Sequence, residues 1–125
     1  MAQPTLPTIV DASTSGTFGR CSIEVGEKKF FVDHTPIQEG PGEFANTIDH
    51  FLAGVASCGV LMLELQAKQR GIPLQKLDVH IEGDRGVPGS RVEEHTLFDA
   101  VRMRFDFVGP TEDQANVLVD HYKRH

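Results

Sequence analysis

From Arg20 to Val25 apolar and polar residues alternate. Cys21, Ile23 and Val25 fall on one side and Ser22 and Glu24 on the other, the two-residue period of a half-covered strand. Gly26-Glu27 offers a two-residue hairpin turn, and Lys29 to His34 reads as the returning strand, ended by Thr35-Pro36. A first strand is expected near Ile9 to Ala12, behind a loosely ordered arm over residues 1–8 that holds Pro4 and Pro7. The run Glu39-Gly40-Pro41-Gly42 suits only a loop. At Asn46 the pattern becomes helical. Asn46 is a good N-cap, and Asp49 three positions later completes a variant of the capping box. The predicted helix runs to about Arg70, where Lys68 and Arg70 suit its negative end and Gly71 and Pro73 stop it.

Alternation returns at Leu77, Val79 and Ile81, and again at Val101, Met103, Phe105 and Phe107, with a flexible turn from Gly83 to Ser90 between them. Thr111 and Gln114 form a capping box for a last helix, whose Ala115, Leu118, Val119 and Tyr122 make a buried stripe. Strands precede and separate two helices, so the class is α+β with antiparallel hairpins. No repeat or long linker divides the chain, and 125 residues make a single domain, 1–125.

The central helix is unusual. Phe51 to Leu63 has no polar face, so it is expected to be buried all round. Gly54 and Gly59 lie inside it, each costing about 1 kcal/mol against alanine. With Ala53, Ala56 and Ser57 they leave a smooth surface where another backbone can approach. So short a chain has little of its own with which to surround such a helix, which points to a homodimer.

Composition narrows the function. About half of the residues are apolar or glycine, ordinary for a globular protein that needs no disulfide or metal to fold. The net charge of −6 repels a phosphate backbone and disfavours nucleic acid as a partner. The uncharged run Phe51 to Leu63 falls short of the ~20 residues that cross a bilayer, so no membrane partner is expected. No secretory signal is visible and the two cysteines make no disulfide framework, which fits a cytoplasmic protein with reduced thiols. His121 and His125 stand four apart but have no third ligand near in sequence, so neither metal nor cofactor is expected. There is no phosphate loop and no Gly-x-Ser-x-Gly elbow.

Cys58 lies in the middle of the central helix. Free cysteine is often a small buried hydrophobe, and a mid-helix thiol gains nothing from the N-terminal dipole. A reactive role would need a cation or hydrogen-bond donor brought from elsewhere. Cys21, sharing a face with Ile23 and Val25, reads as core. The stretch Glu39-Gly-Pro-Gly-Glu-Phe-Ala-Asn-Thr-Ile-Asp-His-Phe-Leu-Ala-Gly-Val-Ala-Ser-Cys58, followed by Arg70-Gly-Ile-Pro-Leu74 and the strand Leu77 to Glu82, resembles the OsmC/Ohr family over about residues 16 to 124.

The resemblance implies an intertwined α+β homodimer, with antiparallel sheets packed around a buried central helix and sites at the subunit interface. It also implies a thiol-dependent peroxidase that reduces organic hydroperoxides in oxidative stress defence. Cys58 matches the peroxidatic cysteine: its thiolate attacks the distal peroxide oxygen, an alcohol leaves, and a sulfenic acid remains. Phe51, Val55, Leu61 and Met62 would line a pocket for an apolar hydroperoxide, and His50, eight residues before Cys58, reads either as a donor to a bound substrate or as a surface histidine near the helix start. Arg20 is the candidate for the thiolate-stabilising arginine, against an exposed strand-end charge. Where the peroxidase branches carry a glutamate ten residues before the cysteine, this chain has Ile48. The adjacent Asp49 either takes that part or serves as the N3 cap of the helix. The family's second cysteine has no counterpart before His125, so an external thiol is the expected reductant unless the chain is shortened there. The alternative is a non-catalytic dimer that binds a small apolar ligand.

Overall fold

A computed structural model describes residues 7–84 and 100–124. Their order is β1 (Asp11–Thr14), β2 (Arg20–Val25), β3 (Lys28–Asp33), a short 3-10 turn (Pro36–Gln38), α1 (Thr47–Arg70), β4 (Lys76–Asp84), β5 (Ala100–Val108) and α2 (Glu112–Arg124). The class is α+β with antiparallel sheets, as expected. The chain divides into two compact units, Met1–His50 and Phe51–His125. The expected turn beyond Asp84, His95 and His125 lie outside the described residues, as do positions 1–6 of the expected arm.

In the first unit β1, β2 and β3 form one antiparallel sheet with β2 in the middle. β1 begins two residues later than the pattern near Ile9 suggests, and Ile9 and Val10 are exposed. The tight turn is Gly26-Glu27, with Gly26 at φ +61°, and it fixes the register. Val25 pairs with Lys28, and the ladder ends with Arg20 opposite Asp33. Ser22 is buried and Cys21 only half-buried, so both faces of β2 are partly covered and Cys21 is no simple core residue. After β3 the chain folds back. Gly40 N–H bonds Thr35 O at 3.0 Å, and a side chain at Gly40 would overlap the His34 carbonyl, which requires glycine there.

In the second unit β4 and β5 pair over nine residues each, from Lys76↔Val108 to Asp84↔Ala100. Leu63 and Ala67 of α1 and Leu118 of α2 are buried together, with Leu74, Leu77, Phe105, Phe107 and Tyr122 packed against them. The outer face of the hairpin is charged: Arg102 pairs with Asp84, Arg104 with Asp106 and Lys76 with Asp78. Thr111 and Gln114 cap α2 reciprocally, at 2.9 and 3.2 Å.

α1 departs from the expectation of burial all round. Gly59, Leu63 and Ala67 are its buried residues, and they line one face. At roughly 100° per residue, Phe51, Gly54, Cys58, Leu61 and Leu65 line the opposite face, and all five are exposed. Among the described residues of the second unit, the apolar neighbours of α1 pack on the side of Leu63 and Ala67. α1 also has the length and composition to cross a membrane, with a mean hydropathy of 1.5 over 18 residues, although its 13-residue uncharged core does not.

Candidate functional site

Register places the first cluster. Arg20 opens β2 and Asp33 closes β3 directly across from it. Asp33 is 1% exposed and accepts four hydrogen bonds. Arg20 Nε donates to Oδ1 at 2.8 Å and Nη2 to Oδ2 at 3.0 Å, while the backbone N–H groups of Glu43 and Phe44 each donate to Oδ2 at 3.0 Å. Glu43 adds a second carboxylate 3.5 Å from Arg20 Nη2, and the guanidinium lies 4.7 Å from the centre of the Phe44 ring. The Arg20 hydrogen bonds hold the Asp33 carboxyl well below the usual carboxylate range, against burial, and the two backbone donors add to the effect. Asp33 in turn raises the Arg20 pKa. Arg20 is therefore no loose strand-end charge. It clamps the loop after β3 to the sheet.

Beside this clamp is a cavity of about 740 Å³, lined by residues of β1, the β1–β2 loop, β2 and β3, including Phe18, Arg20, Cys21, Val32 and Asp33, and by Thr47. None of the pocket residues expected from sequence lines it. Cys21 Sγ contacts the Ser22 carbonyl at 3.7 Å.

Asp49 is the helix cap. Its Oδ2 accepts from Asn46 N–H at 3.0 Å, and its own N–H donates to Asn46 Oδ1 at 2.8 Å. His50 stacks on Phe30 with ring centres 5.2 Å apart. Its Nε2 is buried with no hydrogen-bond partner among the described residues.

Cys58 lies in the second unit, in the middle of the exposed stripe of α1, and its thiol donates to Met62 Sδ at 3.4 Å. Gly59, the next residue, faces inward, where a methyl group would meet the Tyr122 ring at 3.5 Å and Met103 Cε at 3.6 Å. Tyr122 Oη donates to Val55 O at 3.4 Å and contacts Met103 Sδ at 3.6 Å. Burial raises the Tyr122 pKa, and the charge of a Cys58 thiolate raises it further. Phe51 and Leu61 are exposed on the stripe, while Val55 and Met62 are half-buried beside it.

Sequence reasoning missed Asp33, Glu43, Phe44, Tyr122 and Met103 as neighbours of the candidate residues. Asp33 had a signal: a two-residue turn at Gly26-Glu27 places residue 33 opposite residue 20. Among the described residues no group of three or more His, Cys, Asp or Glu is placed to hold a metal.

A family model described as OsmC-like protein matches residues 40–125. No curated protein matches the chain. Among solved structures, an OsmC-like protein from Mycoplasma pneumoniae superposes with a TM-score of 0.80 at 15% identity, over 96% of this chain and 82% of that one. An organic hydroperoxide resistance protein OsmC from Legionella pneumophila gives 0.69 at 19% identity, over 98% and 85%. An organic hydroperoxide resistance protein from Elizabethkingia anophelis gives 0.72 at 20% identity, also over 98% and 85%.

Proposed function

The chain belongs to the OsmC-like proteins, and from that premise we propose that it is a thiol-dependent peroxidase that reduces organic hydroperoxides through Cys58. The observation that carries this reading is the position of the thiol. Cys58 is exposed at the centre of an otherwise apolar stripe, Phe51-Gly54-Cys58-Leu61-Leu65. A purely structural cysteine belongs on the opposite face with Leu63 and Ala67. The stripe is too apolar to stay in water, and a second copy of the chain covers it, leaving the sulfur beside a shared crevice. Phe51, Val55, Leu61 and Met62 give that crevice an apolar wall suited to a hydroperoxide with a hydrophobic tail. Attack by the Cys58 thiolate on the distal oxygen releases the alcohol and leaves a sulfenic acid, which an external thiol reduces. A cycle that consumes a reducing thiol suits the cytoplasm. Arg20 is carried over from the family resemblance as the candidate cation for the thiolate, while Asp49 serves the helix as its cap.

Two structural features support a second reading, a non-catalytic dimer that binds a small apolar ligand. Asp49 is engaged as a cap, and the cavity beside Cys21 and Val32 is large enough for such a molecule. Titration with cumene hydroperoxide separates the two. The peroxidase reading expects one reactive thiol lost per chain, abolished by Cys58→Ser and retained in Cys21→Ser. Loss of the reaction in Cys21→Ser, or none in the wild type, removes the peroxidase assignment.

A further inference from the structure

Cys58 and Met62 are four residues apart on one helix, and their sulfurs are 3.4 Å apart, at van der Waals contact. A thioether only accepts, so Met62 bonds the Cys58 thiol and offers its thiolate no hydrogen bond. What it brings instead is a second sulfur that a two-electron oxidant can reach. Met103 is placed differently, with its sulfur against the Tyr122 hydroxyl and its methyl group over Gly59.

We propose that Met62 and Cys58 work as a coupled pair, in which Met62 takes up a hydroperoxide oxygen and Cys58 removes it again. The inference rests on the reading of Cys58 as a hydroperoxide-reactive thiol. In the first step the Met62 thioether gives two electrons to the O–O bond. The distal oxygen becomes the sulfoxide oxygen, and the hydroperoxide leaves as its alcohol. In the second step the Cys58 sulfur gives two electrons to the sulfoxide. The S–O bond at Met62 breaks, the oxygen and the thiol proton end on Cys58 as a sulfenic acid, and the thioether is restored. An external dithiol then reduces the sulfenic acid to the thiol, releasing water and becoming a disulfide. Both routes of attack, on Cys58 directly or through Met62, thus end in the same reducible species. The fixed i,i+4 spacing makes the second step intramolecular, where contact geometry accelerates reaction most.

The test uses the full chain. Its thiols are capped as methyl disulfides with methyl methanethiolsulfonate, its methionines are oxidised with hydrogen peroxide, and dithiothreitol is added to uncap the thiols. Peptide mass spectrometry follows the added oxygen on Met1, Met62 and Met103. The expected result is that Met62 sulfoxide disappears at least ~10-fold faster than the other two in the wild type. It should persist in Cys58→Ser and in protein alkylated with iodoacetamide before oxidation, which keeps the native sequence. Equal, slow loss at Met62 in all three preparations overturns the inference. A parallel sample of unoxidised protein receives cumene hydroperoxide and dimedone. A dimedone adduct on Cys58 alongside persistent Met62 sulfoxide defeats the coupled pair alone. Absence of the adduct defeats the peroxidase reading and the pair with it.

Discussion

Leu65→Asp tests the dimer from which the proposed site follows. Leu65 is 52% exposed and ends the stripe that also shows Phe51 at 56% and Leu61 at 62%. Fully burying a leucine contributes ~1.5–3 kcal/mol, so covering the exposed half of Leu65 contributes about 1 kcal/mol. In a two-fold dimer each copy presents the same patch, so the substitution acts twice and removes about 2 kcal/mol. A carboxylate held against apolar surface adds roughly 1–3 kcal/mol more. Together these raise the dimer Kd by roughly 10²–10⁴-fold. Sedimentation velocity over a dilution series reads the change directly. Wild type should sediment at twice the chain mass of 13.8 kDa and the variant as monomer at the same concentration. A wild type that stays monomeric at every concentration refutes the reasoning, as does a variant that associates as tightly as the parent.

Leu118 is fully buried between α1 and the β4–β5 hairpin, so Leu118→Ala should cost ~2–5 kcal/mol, read as a lower urea midpoint at unchanged slope. Asp33 governs the acid limb of stability. Its folded pKa is depressed by Arg20, so its contribution is full above the ordinary carboxylate value of 3.8 and drains away as the pH falls from there toward the folded value. Wild type should therefore lose stability steeply below about pH 4, and Asp33→Asn should show a flatter acid limb in circular dichroism.

Much of the fold is legible because its signals are local. The boxes Asn46–Asp49 and Thr111–Gln114 announce both helices from four residues each, and the structure closes both reciprocally. The alternations around Ile23 and Phe105 give the strands. What stayed hidden depends on long-range register. The turn at Gly26-Glu27 sets residue 33 across from residue 20, but nothing in the alternation says that their side chains close a buried ion pair. The donors from Glu43 and Phe44 belong to a loop whose path no periodicity encodes. The two faces of α1 were hidden for the opposite reason. Every position from Phe51 to Leu63 is apolar or small, so the pattern carries no information about which side meets the core. The contact between Cys58 and Met62 lies between these cases: its i,i+4 spacing is visible in the sequence, but the sulfur–sulfur approach is not.

Arg20 presents the sharpest conflict between structural duty and proposed chemistry. Its guanidinium faces two carboxylates, Asp33 and Glu43, and stacks on Phe44. A cation so compensated attracts a thiolate less than a free one does. If Arg20 activates Cys58, then Arg20→Met should slow iodoacetamide alkylation of Cys58 at fixed pH by roughly tenfold or more, because the thiolate is the reacting form. Asp33→Asn separates activation from simple loosening of the loop. It disturbs the same clamp but leaves the guanidinium in place with one carboxylate fewer, so it should leave alkylation as fast as in the wild type or faster. Equal slowing in both variants assigns Arg20 to the loop alone. An unchanged rate in Arg20→Met, in protein whose thermal unfolding is still cooperative, removes Arg20 from the chemistry of Cys58.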